Sequence, residues 1–265
     1  INNCGSGIYY KTINPKNSDG SRPNTYTCQG KSYAPTIDTA SSIWGNTITV
    51  VDTADTSSKQ FPYGIRLYGE NLTANDGIVL AGDYSAQNVN VSSNNITISR
   101  GANAIWLVGT KNINVSQNTV LFNNSAYSTK DNVFGLRIEN STNATINANT
   151  INANNIPYVQ NVIILDKSKG VNIAGNALTG AKKHGINLTS SSASISANTI
   201  SGNKENGIFC YKNSTMTTNK NRITGNKKHG IFVNECKGKS KINGDTIKSN
   251  KQCGIAVQKG NNVTI

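Results

Sequence analysis

His184-Gly185-Ile186-Asn187-Leu188, Asn206-Gly207-Ile208-Phe209-Cys210, His229-Gly230-Ile231-Phe232-Val233 and Cys253-Gly254-Ile255-Ala256-Val257 are copies of one phrase, spaced 22 to 24 residues apart. Between them a second phrase recurs as Ala197-Asn198-Thr199-Ile200, Lys220-Asn221-Arg222-Ile223 and Gly244-Asp245-Thr246-Ile247. A period of this length marks a chain that stacks one supersecondary unit on the next. The unit holds no apolar run long enough for a helix. Its short alternating runs, broken by Asn, Gly, Ser and Lys, read as strand, turn, strand, turn.

Upstream the copies are looser. Asn118-Thr119-Val120, Asn149-Thr150-Ile151 and Asn176-Ala177-Leu178 stand where the Asn-Thr-Ile phrase stands later. Gly64-Ile65-Arg66-Leu67, Ala104-Ile105-Trp106-Leu107 and Gly135-Leu136-Arg137-Ile138 stand for the Gly-Ile phrase. Wider spacings there imply longer loops. These repeats resemble the Asn-rich β-helix repeats of the pectin-lyase-like superfamily. The resemblance covers residues 61–265 and implies an all-β fold, a single-stranded right-handed parallel β-helix. It rests on the repeat and not on a catalytic signature, so it speaks to fold before function.

Residues 1–60 do not follow the repeat. They hold Pro15, Pro23 and Pro35, the pair Cys4 and Cys28, and one strand candidate at Thr47–Thr53. A solenoid needs its end strands covered, so this segment is expected to be an irregular N-terminal cap that the two cysteines could staple. The sequence stops in mid-coil at Asn262-Val263-Thr264-Ile265. The expectation is a longer native chain or an end that meets another subunit.

With 265 residues and 35% hydrophobic content, the chain suits a narrow core that takes every second residue. No apolar run reaches the length of a membrane-spanning helix. The formal charge of +13 points to an anionic partner. Lys182, Lys183, Lys204, Lys227, Lys228 and Lys251 fall in one turn, and stacked coils would align them. The competing reading is a solvated lysine face. Nucleic acid is not expected, since no helix-turn-helix, zinc finger or aromatic RNA-binding motif is present. Five cysteines show no metal spacing. Cys210 takes the place of Leu188 and Val233 and should be a buried thiol, whereas Cys236 and Cys253 fall in different columns and need not pair. No cofactor motif is present. Asn118, Asn149, Asn176, Asn198 and Asn221, followed by Asp245, read as a stacked amide ladder in one turn.

Alternation sorts the Gly-Ile strand by face. Its outward column reads Arg66, Val79, Trp106, Arg137, Ile164, Asn187, Phe209, Phe232, Ala256, and the next reads Tyr68, Ala81, Val108, Glu139, Asp166, Thr189, Tyr211, Asn234, Gln258. Trp106, Phe209, Tyr211 and Phe232 are large rings on an outer face, which suits stacking on a sugar or burial under a loop. Glu139 should neighbour Asp166 at about 5 Å, close to the separation of a retaining glycosidase pair. With Arg137 and Lys167 beside them, these four are the candidate catalytic group, and the plain alternative is a salt-bridge patch. Arg66 joins the four rings as a candidate ligand-binding residue. His184 and His229 occupy equivalent repeat positions, which argues for a turn role.

The resemblance also sets tests. The superfamily's polygalacturonases carry Asn-Thr-Asp, Asp-Asp, Gly-His-Gly and Arg-Ile-Lys phrases, and none occurs here; its calcium-using lyases cluster acidic ligands, and none cluster here. Two functions follow as expectations. One is an extracellular or cell-surface protein that binds, and by lyase or hydrolase chemistry cleaves, an anionic polysaccharide. The other is a non-catalytic surface or filament protein that associates end to end.

Overall fold

Ile186 and Leu188 are fully buried while Asn187 between them is half-exposed, and Ile231, Phe232 and Val233 repeat the pattern. Alternation over strands this short forces one face inward from every segment of each coil. A closed coil of parallel strands then buries them all. The computed structural model describes residues 42–51, 63–68, 86–99, 103–123, 133–153, 156–236, 238–260 and 262–265, with the strands Ile8–Lys11, Tyr26–Cys28 and Lys31–Tyr33. Among these residues there is no helix.

Each coil contributes one strand to each of three parallel sheets. The first sheet carries the Gly-Ile phrase in nine strands, from Ile8–Lys11 and Tyr63–Tyr68 through His184–Thr189 to Ile255–Gln258. The second runs in nine strands from Ser42–Trp44 to Val263–Thr264, and the third in eight from Thr47–Val51 to Thr246–Lys248. The coil winds right-handed, as parallel crossovers do. The all-β parallel solenoid expected from the repeat is therefore the fold. Most of the cap expected over residues 1–60 lies outside the described residues. Those described there include Ser42–Trp44 and Thr47–Val51, which pair in register with Asn90–Ser92 and Asn95–Ser99.

The core is a set of aliphatic columns. Ile65, Ile105, Leu136, Ile163, Ile186, Ile208 and Ile231 stack along the first sheet, and Val91, Val115, Ile146, Ile173 and Ile195 along the second. Ile96, Val120, Ile151, Leu178, Ile200 and Ile223 stack along the third. At Gly207 an added Cβ would strike the Ile223 side chain and come within 2.6 Å of the Gly230 carbonyl. The glycine of the phrase is thus a demand for close approach between sheets, repeated at Gly185 and Gly230.

Three corners join the sheets, and each pairs a left-handed residue with a buried polar one. Between the second and third sheets, Ala148, Ala197 and Lys220 take φ of 53° to 55°. Such residues are strained by about 1–2 kcal/mol each. The Asn that follows offsets this. Asn118, Asn149, Asn176 and Asn198 each donate the side-chain amide to the Oδ1 of the next coil at 2.9–3.0 Å, and their backbone N–H groups bond the same oxygen. Asn46 and Asn94 extend the ladder upstream, and Asp245 receives its last donors from Asn221. A second ladder, Asn203–Asn226–Asn250, lines the corner before the first sheet. Thr110, Ser141, Ser168, Ser191 and Ser214 line the corner after it.

Candidate functional site

The outer face of the first sheet is built by register alone. Arg66 pairs with Trp106, Trp106 with Arg137, Arg137 with Ile164, Ile164 with Asn187, Asn187 with Phe209 and Phe209 with Phe232. The repeat in the sequence predicts Val79 and Ala81 in this run. They lie outside the described residues, and the register sets Arg66 directly beside Trp106.

Two clusters result. In the first, the Arg66 guanidinium lies 4.3 Å from the centre of the Trp106 ring, the Arg137 guanidinium 5.8 Å from it, and Phe134 meets it edge-on at 5.9 Å. The indole is bracketed by cations from the layers before and after, an arrangement worth about 0.5–1 kcal/mol per contact at such sites. Arg137 then ties the neighbouring column together. Its Nε lies 3.1 Å from a Glu139 carboxylate oxygen and one terminal nitrogen 3.4 Å from Asp166. Glu139 and Asp166 are partners in register, as their alternation predicts. Lys167 is not brought into this cluster. The strand ends at Asp166, and Lys167 turns away, exposed, with φ of 48° at a corner where Asn140, Ser190 and Glu235 take the same conformation.

The second cluster is aromatic. Phe209 stacks on Tyr211 and on Phe232, each at 5.4 Å between ring centres. His184 packs against Phe209 at 4.7 Å and His229 against Phe232 at 5.1 Å. The Nδ1 of His184 lies 3.4 Å from the Asn206 backbone nitrogen, whose N–H it accepts, and the His229 backbone N–H donates to Asn206 Oδ1 at 3.1 Å. Burial, then the charges of Lys183 and Lys228, push the His184 imidazole down to about 3. His229 is lowered by burial and by Lys228. A neutral His184 accepting at Nδ1 carries its proton on Nε2. Arg137 and Phe209 stand three layers apart, about 14 Å, with Ile164 and Asn187 between them, so Trp106 does not join the other three rings.

Beside the aromatic cluster runs the lysine turn. Lys204 N–H bonds Ala181 C=O, Lys227 N–H bonds Asn203 C=O and Lys251 N–H bonds Asn226 C=O. This register stacks Lys182, Lys204, Lys227 and Lys251 in consecutive layers, all exposed. The adjacent column reads Lys183, Glu205, Lys228 and Gln252. Glu205 holds Lys228 at 3.2 Å. The sequence foresaw the lysine alignment but not the histidine–phenylalanine pairs. Of those, His229–Phe232 was legible in the repeat, since His229 stands three residues before the outward Phe232, whereas His184 packs on Phe209 of the next coil.

Among the described residues no group of three or more His, Cys, Asp or Glu side chains is placed to hold a metal ion. A shallow depression of about 340 Å³ lies on the second sheet, lined by Asn172, Ser194, Thr217 and Lys239, away from both clusters.

No curated protein sequence matches the chain. By shape it is similar to the periplasmic alginate epimerase AlgG, at a TM-score of 0.50 and 15% identity over 74% of this chain and 57% of that one. It is similar also to the enzymatically active domain of tailspike protein 2 of bacteriophage CBA120, at a TM-score of 0.46 and 13% identity over 84% of this chain and 34% of that one. A third likeness is the catalytic domain of a GH87 α-1,3-glucanase, at a TM-score of 0.29 and 12% identity over 98% and 63% of the two chains. The chain thus spans little more than half of the epimerase, and at these identities the likeness speaks to fold alone. The family model described as "Right handed beta helix region" matches residues 76–238 and 190–265, and the chain belongs to that family.

Proposed function

We propose that the protein binds an anionic polysaccharide along the outer face of the first sheet, outside the cell or at its surface. The observation that carries this reading is the column of Lys182, Lys204, Lys227 and Lys251 beside the Phe209–Tyr211–Phe232 stack. Like charges one layer apart, about 4.8 Å, repel one another, and a polymer with regularly spaced negative groups turns that cost into affinity. The neighbouring rings offer flat apolar faces to the C–H faces of sugar residues. The alginate epimerase with a similar fold accords with this reading.

Cleavage is assigned to Arg137, Glu139 and Asp166, without Lys167, which the corner takes off the sheet. Arg137 lies between both carboxylates, which favours an ion-paired patch, while Glu139 and Asp166 remain the groups able to move a proton. A panel of neutral and uronate polysaccharides, titrated by calorimetry at low and high salt, tests the binding. Uronate polymers should bind, more weakly as salt rises. Mass spectrometry of the products reads the chemistry. Unsaturated ends mean elimination and fragments with added water mean hydrolysis. Binding without fragments removes the catalytic assignment, and binding to no polymer overturns the whole reading.

A further inference from the structure

Two regular columns of this solenoid are each interrupted once by cysteine, and the two interruptions touch. The inward position filled by Leu67, Leu107, Ile138, Leu165, Leu188 and Val233 holds Cys210 in its own coil. The corner column of Thr110, Ser141, Ser168, Ser191 and Ser214 continues as Cys236 in the next. Cys236 keeps the local geometry of that column. Its Sγ faces the Asn234 carbonyl at 3.5 Å, as the hydroxyls of Ser168 and Ser191 face the carbonyls of Asp166 and Thr189. Elsewhere these two positions hold an aliphatic side chain and a hydroxyl. Here two thiols meet, both fully buried, with their sulfur atoms 3.1 Å apart. Cys253, the alternative partner for Cys236, is exposed in the turn beside His229.

We propose that Cys210 and Cys236 form a disulfide that staples two consecutive coils of the helix. The contact with Cys236 and burial push the Cys210 thiol up, so the bond forms while the coil is open, during folding or local opening. The oxidant is a small-molecule disulfide such as oxidised glutathione. One cysteine thiolate attacks it, giving a mixed disulfide and releasing one glutathione thiolate. The second cysteine thiolate then attacks the protein sulfur of that mixed disulfide and displaces the other. Two protein thiols are oxidised, one glutathione disulfide is reduced to two thiols, and the two protons go to the leaving thiolates. The closed loop restricts the unfolded chain and so favours the folded coil. The bond suits an oxidising compartment and does not rest on the polysaccharide reading.

The full chain is refolded from denaturant with oxidised or with reduced glutathione, free thiols are blocked, and the unreduced digest is mapped by mass spectrometry. The expected result is a peptide pair joined through Cys210 and Cys236 and a melting midpoint several degrees higher in the oxidised sample. Cys210→Val and Cys236→Ser restore what neighbouring coils already use, so both should fold and both should lose the cross-link and the redox-dependent part of the shift. Blocked, unlinked Cys210 and Cys236 after oxidative refolding would overturn the proposal. So would a link from either to Cys253.

Discussion

Asn221 gives both its backbone N–H and its side-chain amide to one carboxylate oxygen of Asp245, each at 2.8 Å. Every earlier rung pairs an amide donor with an amide acceptor. A carboxylate accepts and has nothing to donate, so Asp245 closes the run without stranding an N–H, and it takes the Thr218 hydroxyl as well. A hydrogen-bonded column of this kind is costly to break in the middle, because both neighbours lose partners in a site closed to water.

Asn176→Ala is the direct test. The Asn149 backbone N–H and side-chain amide would lose the Asn176 Oδ1, and the side-chain amide bonds of Asn176 to Ile146, Ala174 and Asn198 would vanish, while its backbone N–H keeps the Asn198 Oδ1. The expected loss is about 3 kcal/mol by urea denaturation. Asn172→Ala, on the exposed face of the second sheet, should change stability by less than about 0.5 kcal/mol. Equal effects would show that the ladder adds nothing beyond local propensity.

Gly207→Ala places a methyl group against Ile223 and the Gly230 carbonyl. Neither can retreat, since both belong to neighbouring strands of the solenoid. Overpacking of this kind costs about 1–3 kcal/mol. A melting curve unchanged from wild type would mean that the repeat keeps glycine there for some other reason.

Stability should fall as the solution is acidified from pH 6.5 toward about 3, in part through His184. Its folded imidazole is lowered to about 3, while the unfolded chain takes a proton near the ordinary value of about 6.5. The unfolded state therefore binds more protons within that window, and lowering the pH favours it, by at most on the order of 4 kcal/mol. His184→Asn uses the residue found at Asn206 one coil on. It should shallow this acid limb in denaturation curves recorded across the window. An unchanged slope would contradict a neutral, buried His184.

Lys204→Gln together with Lys227→Gln should weaken binding to a uronate polymer about tenfold and flatten its salt dependence, since two stacked charges leave the column. Phe209→Ala should weaken binding with the salt dependence kept. Calorimetry separates the two effects. Wild-type affinity in both variants would remove this face from the function.

On any glycan the protein cleaves, Glu139→Gln and Asp166→Asn should each abolish cleavage while shifting stability by less than about 1 kcal/mol, as for partly exposed ion pairs. Product analysis against melting curves makes the comparison. Full cleavage by both variants would remove the assigned group.

Periodicity made the strands legible, because a side chain in a solenoid meets its own equivalent one coil away. Asn118 and Asn149 could be paired on paper for that reason, and so could Glu139 and Asp166. Asn94 stands 24 residues before Asn118, within the ordinary period, whereas Asn46 stands 48 residues before Asn94, a gap across which counting by period fails. The second ladder was there to be read in Gly202-Asn203-Lys204 and Gly225-Asn226-Lys227, a shorter repeat overshadowed by the apolar phrase. What periodicity does not carry is direction at the corners. Lys167 follows Asp166 in sequence, yet the left-handed turn at that point takes it off the sheet, and Arg137 reaches Asp166 from the neighbouring layer instead. Cys210 and Cys236 sit in different columns, and they meet only because the corner brings a hydroxyl column beneath an aliphatic one.

The uniform rungs of the Asn ladder also make the molecule a ruler with fixed graduations. Asn149, Asn176 and Asn198 offer the same donors and the same acceptor to either neighbour. Excising one period between two of them would let the flanking rungs join by the bonds they already make. Arg137 and Phe209 would then move closer by one graduation, about 4.8 Å, and a duplicated period would part them by the same amount. The separation of groups along the outer face can thus be reset in whole steps through gain or loss of coding repeats, with the cross-section of the core left as it is.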